Sequence, residues 1–112
     1  MKMYGIPNCD TVKKARKYLE THQLAYDFHD FKKQGLDIAL LESWLQFQPL
    51  EKLVNKRSTS WKQLDDAQKT ALLNGDLNVL LTTPTLIKRP VLVSANDVII
   101  GFDEKAYEAL PG

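Results

Sequence analysis

Apolar residues recur along the chain either at every second position, as in strands, or at every third or fourth position, as in helices. Each change between these two periods marks the boundary of a predicted element. Residues 1–4 predict a short strand that Gly5 and Pro7 end. From Thr11 to His22 apolar positions recur every three or four residues, which predicts an amphipathic helix. Residues 25–29 alternate between polar and apolar side chains, as half-buried strands do. A strand, a roughly 12-residue helix and a second strand in so short a span predict a parallel βαβ unit.

The middle of the chain shows only the helical period. Asp37 can cap a helix that Pro49 bounds. Ser60 fits a capping box, and the helical pattern then continues until Asn74-Gly75 stops it. We therefore predict a helical insert at about residues 36–82, which is too small to need a domain of its own. The whole chain, residues 1–112, is predicted to form a single domain.

The last third returns to the strand period. Short apolar runs at 85–87, 91–94 and 98–100 predict three strands, with a turn at 95–97. Asp103 can cap a closing helix over 104–110. Two strands joined by a tight turn form an antiparallel hairpin, so the sheet should contain both parallel and antiparallel pairs. The fold class is therefore α/β, with a mixed sheet flanked by helices.

Charge and composition exclude several classes of protein. The chain has 112 residues, of which 44% are hydrophobic, enough to bury a core without disulfides or metal. Its 15 Lys and Arg nearly balance 14 Asp and Glu. We therefore expect no nucleic-acid binding through a general positive field, although a local basic patch stays open. A single cysteine excludes an internal disulfide, and no Cys/His cluster has zinc spacing.

The expected location is the cytoplasm. No apolar run approaches the ~18–20 residues that span a bilayer. The N-terminal residues contain no apolar core of a secretory signal, since Pro7 interrupts them. We expect a monomer that binds no metal and no resident cofactor. His22 and His29 have no partner at ligand spacing and are interpreted as structural residues.

Cys9 is the one side chain whose position predicts covalent chemistry. It follows the first strand and stands where the first helix begins. The unpaired N–H groups and partial positive charge of a helix N-terminus lower the pKa of a thiol from about 8.5, which favours the reactive thiolate. Asn8, Cys9, Asp10 and Thr11 are all acceptable caps, and the sequence does not choose among them. The alternative is a small, inert, buried side chain, the commonest state of free cysteine.

Two cysteine motifs are excluded by register. A phosphatase loop needs Arg as the sixth residue after its cysteine, but that residue is Ala15, and Arg16 comes one later. Val12 occupies the position that would complete Cys-x-x-Cys. Cys9 is thus a monothiol that needs an outside thiol to resolve a mixed disulfide. The cations that follow it are interpreted as a solvated helix face: Lys13, Lys14, Arg16 and Lys17.

Two arginines and one proline lie in predicted loops. Arg57 and Arg89 carry planar guanidinium groups, which suit carboxylates, oxyanions or a thiolate. Each is alternatively an ordinary surface charge. Thr83-Pro84 precedes a predicted strand. A cis bond there would leave the Thr83 backbone free to pair with an extended thiol-bearing peptide. The alternative is an ordinary trans proline at a strand edge, which the sequence alone favours.

The stretch from Tyr4 to Ala15, with Arg57 and the segment from Pro84 to Pro90, resembles the ArsC/Spx/YffB family, and its YffB branch most. The resemblance covers nearly the whole chain. It implies a thioredoxin-like fold with a mixed four-stranded sheet, a helical insert and a cis proline at Pro84. It also implies that Cys9 is the nucleophile and that Arg57 and Arg89 hold an oxyanion and stabilise the thiolate.

The activity implied by the resemblance is thiol-dependent reduction. In the arsenate reductases of this family that couple to glutathione and glutaredoxin, cysteine attacks arsenate and glutathione resolves the adduct. No arginine follows Arg89 to supply that site's third cation, a loss worth about 1–3 kcal/mol. We therefore expect a glutathione-dependent monothiol reductase, with glutathione as co-substrate and glutaredoxin as a partner. Asn8, Thr83 and Pro84 are expected to bind substrate or glutathione.

Two other functions stay open. One is arsenate reduction proper, with an oxyanion as substrate instead of a disulfide. The other is a non-catalytic regulator that resembles Spx and binds RNA polymerase. Many Spx proteins carry a Cys-x-x-Cys switch, which Val12 removes here.

Overall fold

The computed structural model describes residues 1–95 and 97–110, which form two compact units. The first unit comprises residues 1–35 together with the described residues from Arg89 onwards, and the second is Leu36–Lys88. The second unit begins where the helical insert was predicted and extends beyond residue 82. That the chain forms a single domain stays a prediction. The predicted turn at 95–97 includes Asn96, which lies outside the described residues.

Strands and helices alternate in the order that the sequence predicts for the first thirty residues. The strands are β1 (Lys2–Gly5), β2 (Asp27–Asp30), β3 (Val91–Val93) and β4 (Val98–Ile100). The helices are α1 (Asp10–Thr21), α2 (Phe31–Gln34), α3 (Ile38–Leu45), α4 (Leu50–Leu53), α5 (Thr59–Lys62), α6 (Asp66–Leu73), α7 (Asn78–Thr82) and α8 (Glu104–Glu108).

A four-stranded sheet in the order β2-β1-β3-β4 forms the centre of the first unit. β1 pairs with β2 in parallel and with β3 in antiparallel orientation, and β3 pairs with β4 in antiparallel orientation. The predicted βαβ unit and the predicted hairpin are both present. The prediction of a mixed four-stranded sheet flanked by helices is confirmed.

The core of the first unit joins α1 and α8 to the sheet. The apolar stripe of α1 meets residues of β1, β3 and β4, and α8 contributes one large aromatic side chain. The buried members of this core cluster are Met3, Val12, Ala15, Leu19, Leu92, Ile99 and Tyr107. Because α1 is held along its length by this stripe, the position of its first residue relative to β1 is fixed by packing.

Side-chain caps start three helices of the second unit. Asp37 accepts from the Leu40 N–H at 2.8 Å, as the sequence predicts. The cap of α5 is Ser58, whose Oγ accepts from the Trp61 N–H at 3.1 Å. The predicted capping box at Ser60 is therefore wrong, because Ser60 already lies inside α5. A capping box does start α6, at Asp65.

The segment before β3 differs from its prediction in two ways. Residues Pro84–Leu86 form a 3-10 turn in place of the predicted strand, and Ile87 makes an isolated antiparallel bridge with Val54. The cis bond that the resemblance implies at Pro84 is also wrong, and the trans bond that the sequence alone favours is correct: in the described residues the cis bond is Arg89–Pro90. Both prolines precede an apolar run, and only the run that begins at Val91 becomes a strand.

Candidate active site

A tight turn after β1 holds Cys9 at the start of α1. The Cys9 N–H donates to the Ile6 carbonyl at 3.2 Å, so Pro7 and Asn8 occupy the two central positions of the turn. Proline suits the first of them because its φ is already fixed near the required value. The Cys9 carbonyl accepts from the Lys13 N–H at 3.0 Å. Cys9 itself is therefore the N-cap of α1, with φ −87° and ψ 127°.

The Cys9 side chain is half-buried and packs against the core cluster of the first unit. Serine, threonine, aspartate or asparagine at this position normally accepts a hydrogen bond from the first turn. The Cys9 thiol accepts none. Among the described residues, no side chain caps the N–H groups of Thr11 and Val12. A sulfur atom that solvent can reach, beside unpaired N–H groups, can act as a nucleophile or stabilise an anion bound next to it.

The cations of α1 do not all behave alike. The lysines are exposed, as expected for a solvated face: Lys13, Lys14 and Lys17. The interpretation of Arg16 as solvated is wrong, because its guanidinium carbon lies 4.2 Å from the centre of the Phe28 ring. Its Nε also donates to the Tyr26 hydroxyl at 3.0 Å. Arg16 is thus held against the aromatic side chains of the neighbouring strand region.

Arg89 lies at the end of the sheet where the Cys9 turn begins. β3 runs antiparallel to β1 with Val91 opposite Tyr4, so the residues just before Val91 lie at the end of β1 that leads into the turn. Arg89 is half-buried. Within the part of the chain that the structure describes, its backbone N–H and carbonyl make no backbone hydrogen bond. Two predicted site residues, Cys9 and Arg89, are therefore brought to one end of one sheet.

Arg57 belongs to the second unit. It is exposed, and its backbone N–H donates to Oδ1 of Asn55 at 3.1 Å. Arg57 lines a cavity of about 660 Å³, and three lysines line the same cavity: Lys52, Lys56 and Lys88. The sequence pattern does not predict this group of cations, although Lys56 directly precedes Arg57. The role of Arg57 at the Cys9 site stays a prediction.

Thr83 and Pro84 also belong to the second unit. The Thr83 N–H donates to the Val79 carbonyl at 3.1 Å, and its carbonyl accepts from the Leu86 N–H at 3.0 Å. Because both backbone groups are engaged, the expectation that Thr83 pairs with an extended peptide is wrong. That Thr83 and Pro84 contact glutathione stays a prediction, but a free Thr83 backbone no longer supports it. Asn8 is exposed in the turn before Cys9, where a ligand could reach it.

Both histidines have structural contacts. The His22 ring stacks on Tyr18 with ring centres 4.0 Å apart, and its Nδ1 lies 2.9 Å from the Tyr18 carbonyl. Nε2 of His29 lies 2.7 Å from the Gly35 carbonyl. Over residues 1–95 and 97–110, no three His, Cys, Asp or Glu side chains are grouped so that they could hold a metal ion.

No helix in the described part of the chain has the length and apolar character needed to cross a membrane.

Comparison with known proteins agrees with this architecture. Residues 4–110 match the sequence profile of the ArsC family. A Haemophilus influenzae relative, named only as an uncharacterized protein, is 47% identical over 109 residues, covering 96% of this chain and 95% of the relative. The global transcriptional regulator Spx of Lactiplantibacillus plantarum is 25% identical over 104 residues, which cover 91% of this chain and 79% of Spx. A solved structure of a YffB protein superposes with a TM-score of 0.90 at 40% identity, covering 96% of each chain.

Proposed function

The chain belongs to the ArsC family, and on that premise we propose that it is a glutathione-dependent monothiol reductase. The observation that carries the proposal is the position of Cys9. Its sulfur stands at the N-cap of α1, partly open to solvent, with no capping bond to the first turn. A partly exposed cysteine at a helix N-terminus is the environment in which thiols react as nucleophiles.

The reaction proceeds in two thiol–disulfide exchanges. The Cys9 thiolate attacks the glutathione sulfur of a mixed disulfide, so that a Cys9–glutathione disulfide forms and the substrate leaves as a thiolate. A second glutathione thiolate then attacks the glutathione sulfur bound to Cys9, which releases oxidised glutathione and regenerates the Cys9 thiolate. One glutathione thiol is therefore consumed per turnover: the mixed disulfide and glutathione are converted to the substrate thiol and oxidised glutathione, whose second half comes from the mixed disulfide. No second cysteine of the chain is needed, in accord with its single cysteine.

Arg89 is the residue of the first unit best placed to hold glutathione. Its guanidinium can bind a carboxylate, which glutathione carries at both ends. Its backbone N–H and carbonyl, which make no backbone hydrogen bond among the described residues, can pair with the extended backbone of the tripeptide. This gives Arg89 the backbone role that was expected of Thr83.

Arsenate is the less favoured substrate. The sequence contains three arginines, at positions 16, 57 and 89. Arg16, the one that was not assigned to the site, packs against Phe28 and Tyr26 and does not supply an extra cation. An oxyanion with one cation fewer would be held more weakly by a factor of about ten to a hundred. A mixed disulfide carries no such charge at its sulfur atoms.

Turnover of a peptide–glutathione mixed disulfide tests the proposal. Release of oxidised glutathione is followed with purified protein and excess glutathione. We expect turnover by the wild type and none above the uncatalysed rate by Cys9→Ser. Arg89→Gln should raise KM more than it lowers kcat, since it weakens binding, while Arg16→Gln is the matched change outside the site. Turnover that survives Cys9→Ser, or its absence in the wild type, would contradict the proposal.

A second candidate function follows from the match to Spx over 91% of this chain. In that case the protein is a regulator that binds RNA polymerase, and Cys9 is not required. Co-purification of tagged wild type and Cys9→Ser with polymerase separates the two functions. Equal co-purification of the wild type and Cys9→Ser with polymerase, without glutathione turnover by the wild type, would favour the regulator. If neither protein co-purifies with polymerase, the regulator is excluded.

A further inference from the structure

We infer that a groove beside α1 binds the polypeptide part of the substrate, a segment with a large apolar anchor residue and with acidic residues between that anchor and its glutathione-bearing cysteine. This substrate class presupposes the proposed reductase function. The groove is a cavity of about 270 Å³ that opens to solvent, and it lies wholly in the first unit. We call it the α1 groove, and its lining includes Lys14, Lys17, Tyr18, Thr21, Phe102 and Glu104.

Aromatic rings form the apolar wall of the α1 groove. Phe102 meets Tyr18 edge-on, with ring centres 5.8 Å apart. The buried Tyr107 ring lies 5.0 Å from the Phe102 ring and 5.6 Å from the Tyr18 ring, again edge-on. Such packing is favourable and holds each ring in place. Tyr18 and Phe102 are only half-buried, so they offer a rigid apolar surface to a side chain of a partner.

The backbone places Phe102 at the end of the sheet where Cys9 and Arg89 lie. The Gly101 N–H donates to the Pro90 carbonyl at 2.8 Å, and Pro90 directly follows Arg89. Gly101 has φ 77°, a left-handed conformation that glycine adopts without strain. The chain therefore turns at this point and brings Phe102 against α1. The α1 groove thus begins at the same end of the sheet as the reactive sulfur.

The distance from Cys9 to the α1 groove sets the position of the anchor residue in the substrate. Tyr18 follows Cys9 by nine residues, which corresponds to about 13 Å along a helix at about 1.5 Å per residue. An extended peptide covers that distance in about four residues at ~3.3 Å each. A segment whose glutathione-bearing cysteine faces Cys9 therefore places the residue about four positions away over the groove.

Positive charge lines the path from Cys9 to the α1 groove. Lys13 and Lys17 follow Cys9 by one and two helical turns on the same face of α1, and both are exposed. Lys14 and Lys17 also line the groove on its α1 side. Glu104, the first residue of α8, contributes a negative charge to the other side. Acidic residues between the cysteine and the anchor therefore complement the surface that they cross.

Turnover of three glutathionylated peptides tests the inference. The first peptide has tryptophan four residues from its cysteine and two aspartates between them. The second has serine in place of tryptophan, and the third has lysines in place of the aspartates. We expect kcat/KM of the wild type to be about tenfold lower for the serine peptide and about two- to fivefold lower for the lysine peptide, mainly through KM. Each peptide is made in both chain directions, and a preference in either direction supports the inference.

Two variants change the α1 groove at exposed positions. Thr21→Trp would fill the groove and should abolish the preference for the tryptophan peptide over the serine peptide. Lys17→Glu should reverse the preference between the aspartate and lysine peptides. Lys33→Glu, the same change in α2 and outside the groove, should alter each preference by less than about twofold.

The mixed disulfide of free cysteine with glutathione distinguishes this inference from the reductase function, because it has no segment to occupy the groove. Wild type, Thr21→Trp and Lys17→Glu should turn it over equally. Its turnover together with equal kcat/KM for all three peptides would overturn the inference and leave the function intact.

If no substrate is turned over, the reductase function fails and the docking surface is tested alone. Fluorescence anisotropy then compares two labelled peptides in which serine replaces the cysteine, one with the tryptophan and one without it. The peptide with tryptophan should bind the wild type about tenfold more tightly, and Thr21→Trp should remove the difference. Equal affinity of the two peptides for the wild type would overturn the inference.

Discussion

Gly5 sets how closely α1 approaches the strand that leads to Cys9, and Gly5→Ala should therefore destabilise the fold. An added methyl carbon would lie 3.0 Å from Cγ2 of Val12, whereas carbon atoms in contact are about 3.5–4.0 Å apart. Val12 is 0% exposed and, being β-branched in a helix, is held near one rotamer. Overpacking of this kind lowers the free energy of unfolding by about 1–3 kcal/mol. Alanine also restricts the unfolded chain more than glycine does, which raises the free energy of unfolding by about 0.4–1 kcal/mol. We expect a net loss of about 1–2 kcal/mol.

Urea unfolding followed by far-ultraviolet circular dichroism measures this loss. Val12→Ala provides the matched background, because it removes both Cγ atoms that the new methyl would meet. In that background Gly5→Ala should be neutral or stabilise the protein by up to ~1 kcal/mol. The reasoning is refuted if Gly5→Ala is as stable as the wild type, or if it costs the same free energy in both backgrounds.

Three further predictions concern stability. Tyr107 is 1% exposed and its hydroxyl has no partner among the described residues. Because an unsatisfied buried group costs ~1–3 kcal/mol, Tyr107→Phe should unfold at an equal or higher urea concentration. A loss of more than ~1 kcal/mol in the free energy of unfolding would contradict this. Burial raises the pKa of Tyr107, so above pH ~10 the unfolded state loses this proton while the folded state keeps it. Stability of the wild type should then fall by up to ~1.4 kcal/mol per pH unit, and less in Tyr107→Phe; equal slopes in both would argue against the assignment. Asp65→Ala removes the capping box of α6 and should cost about 0.5–2 kcal/mol in urea unfolding, against a few tenths for Asp66→Ala; similar costs for both would show that the cap contributes little.

The sequence predicts the first unit well because its signals are local. The periods of residues 1–29 identify β1, α1 and β2, and the apolar runs at 91–94 and 98–100 identify β3 and β4. The position of Cys9 at a strand-to-helix turn follows from the same pattern. The choice of Cys9 over Asn8 or Asp10 as the N-cap depends on backbone angles, which side-chain types alone do not determine.

The errors arise where distant residues meet. The apolar run at 85–87 has the composition of a strand, yet it finds only the single bridge from Ile87 to Val54. Arg16 has the spacing of an exposed helix residue, but Phe28, on another element, covers it. The cavity around Arg57 depends on that same long-range bridge, which brings Lys88 beside residues that lie some thirty positions earlier. The hydrophobic pattern of a sequence does not indicate which residues far apart in the chain will contact one another.

The central claim is that the fold makes Cys9 a nucleophile by presenting it at the N-cap of α1. Mass spectrometry at neutral pH, following adduct formation with oxidised glutathione, tests this most directly, because the chain has one cysteine and each adduct reports on it. The same protein unfolded in urea provides the reference for an ordinary thiol. We predict that the folded protein forms the adduct at least about tenfold faster than the unfolded protein. A folded protein that reacts at the unfolded rate, or more slowly, would contradict the claim.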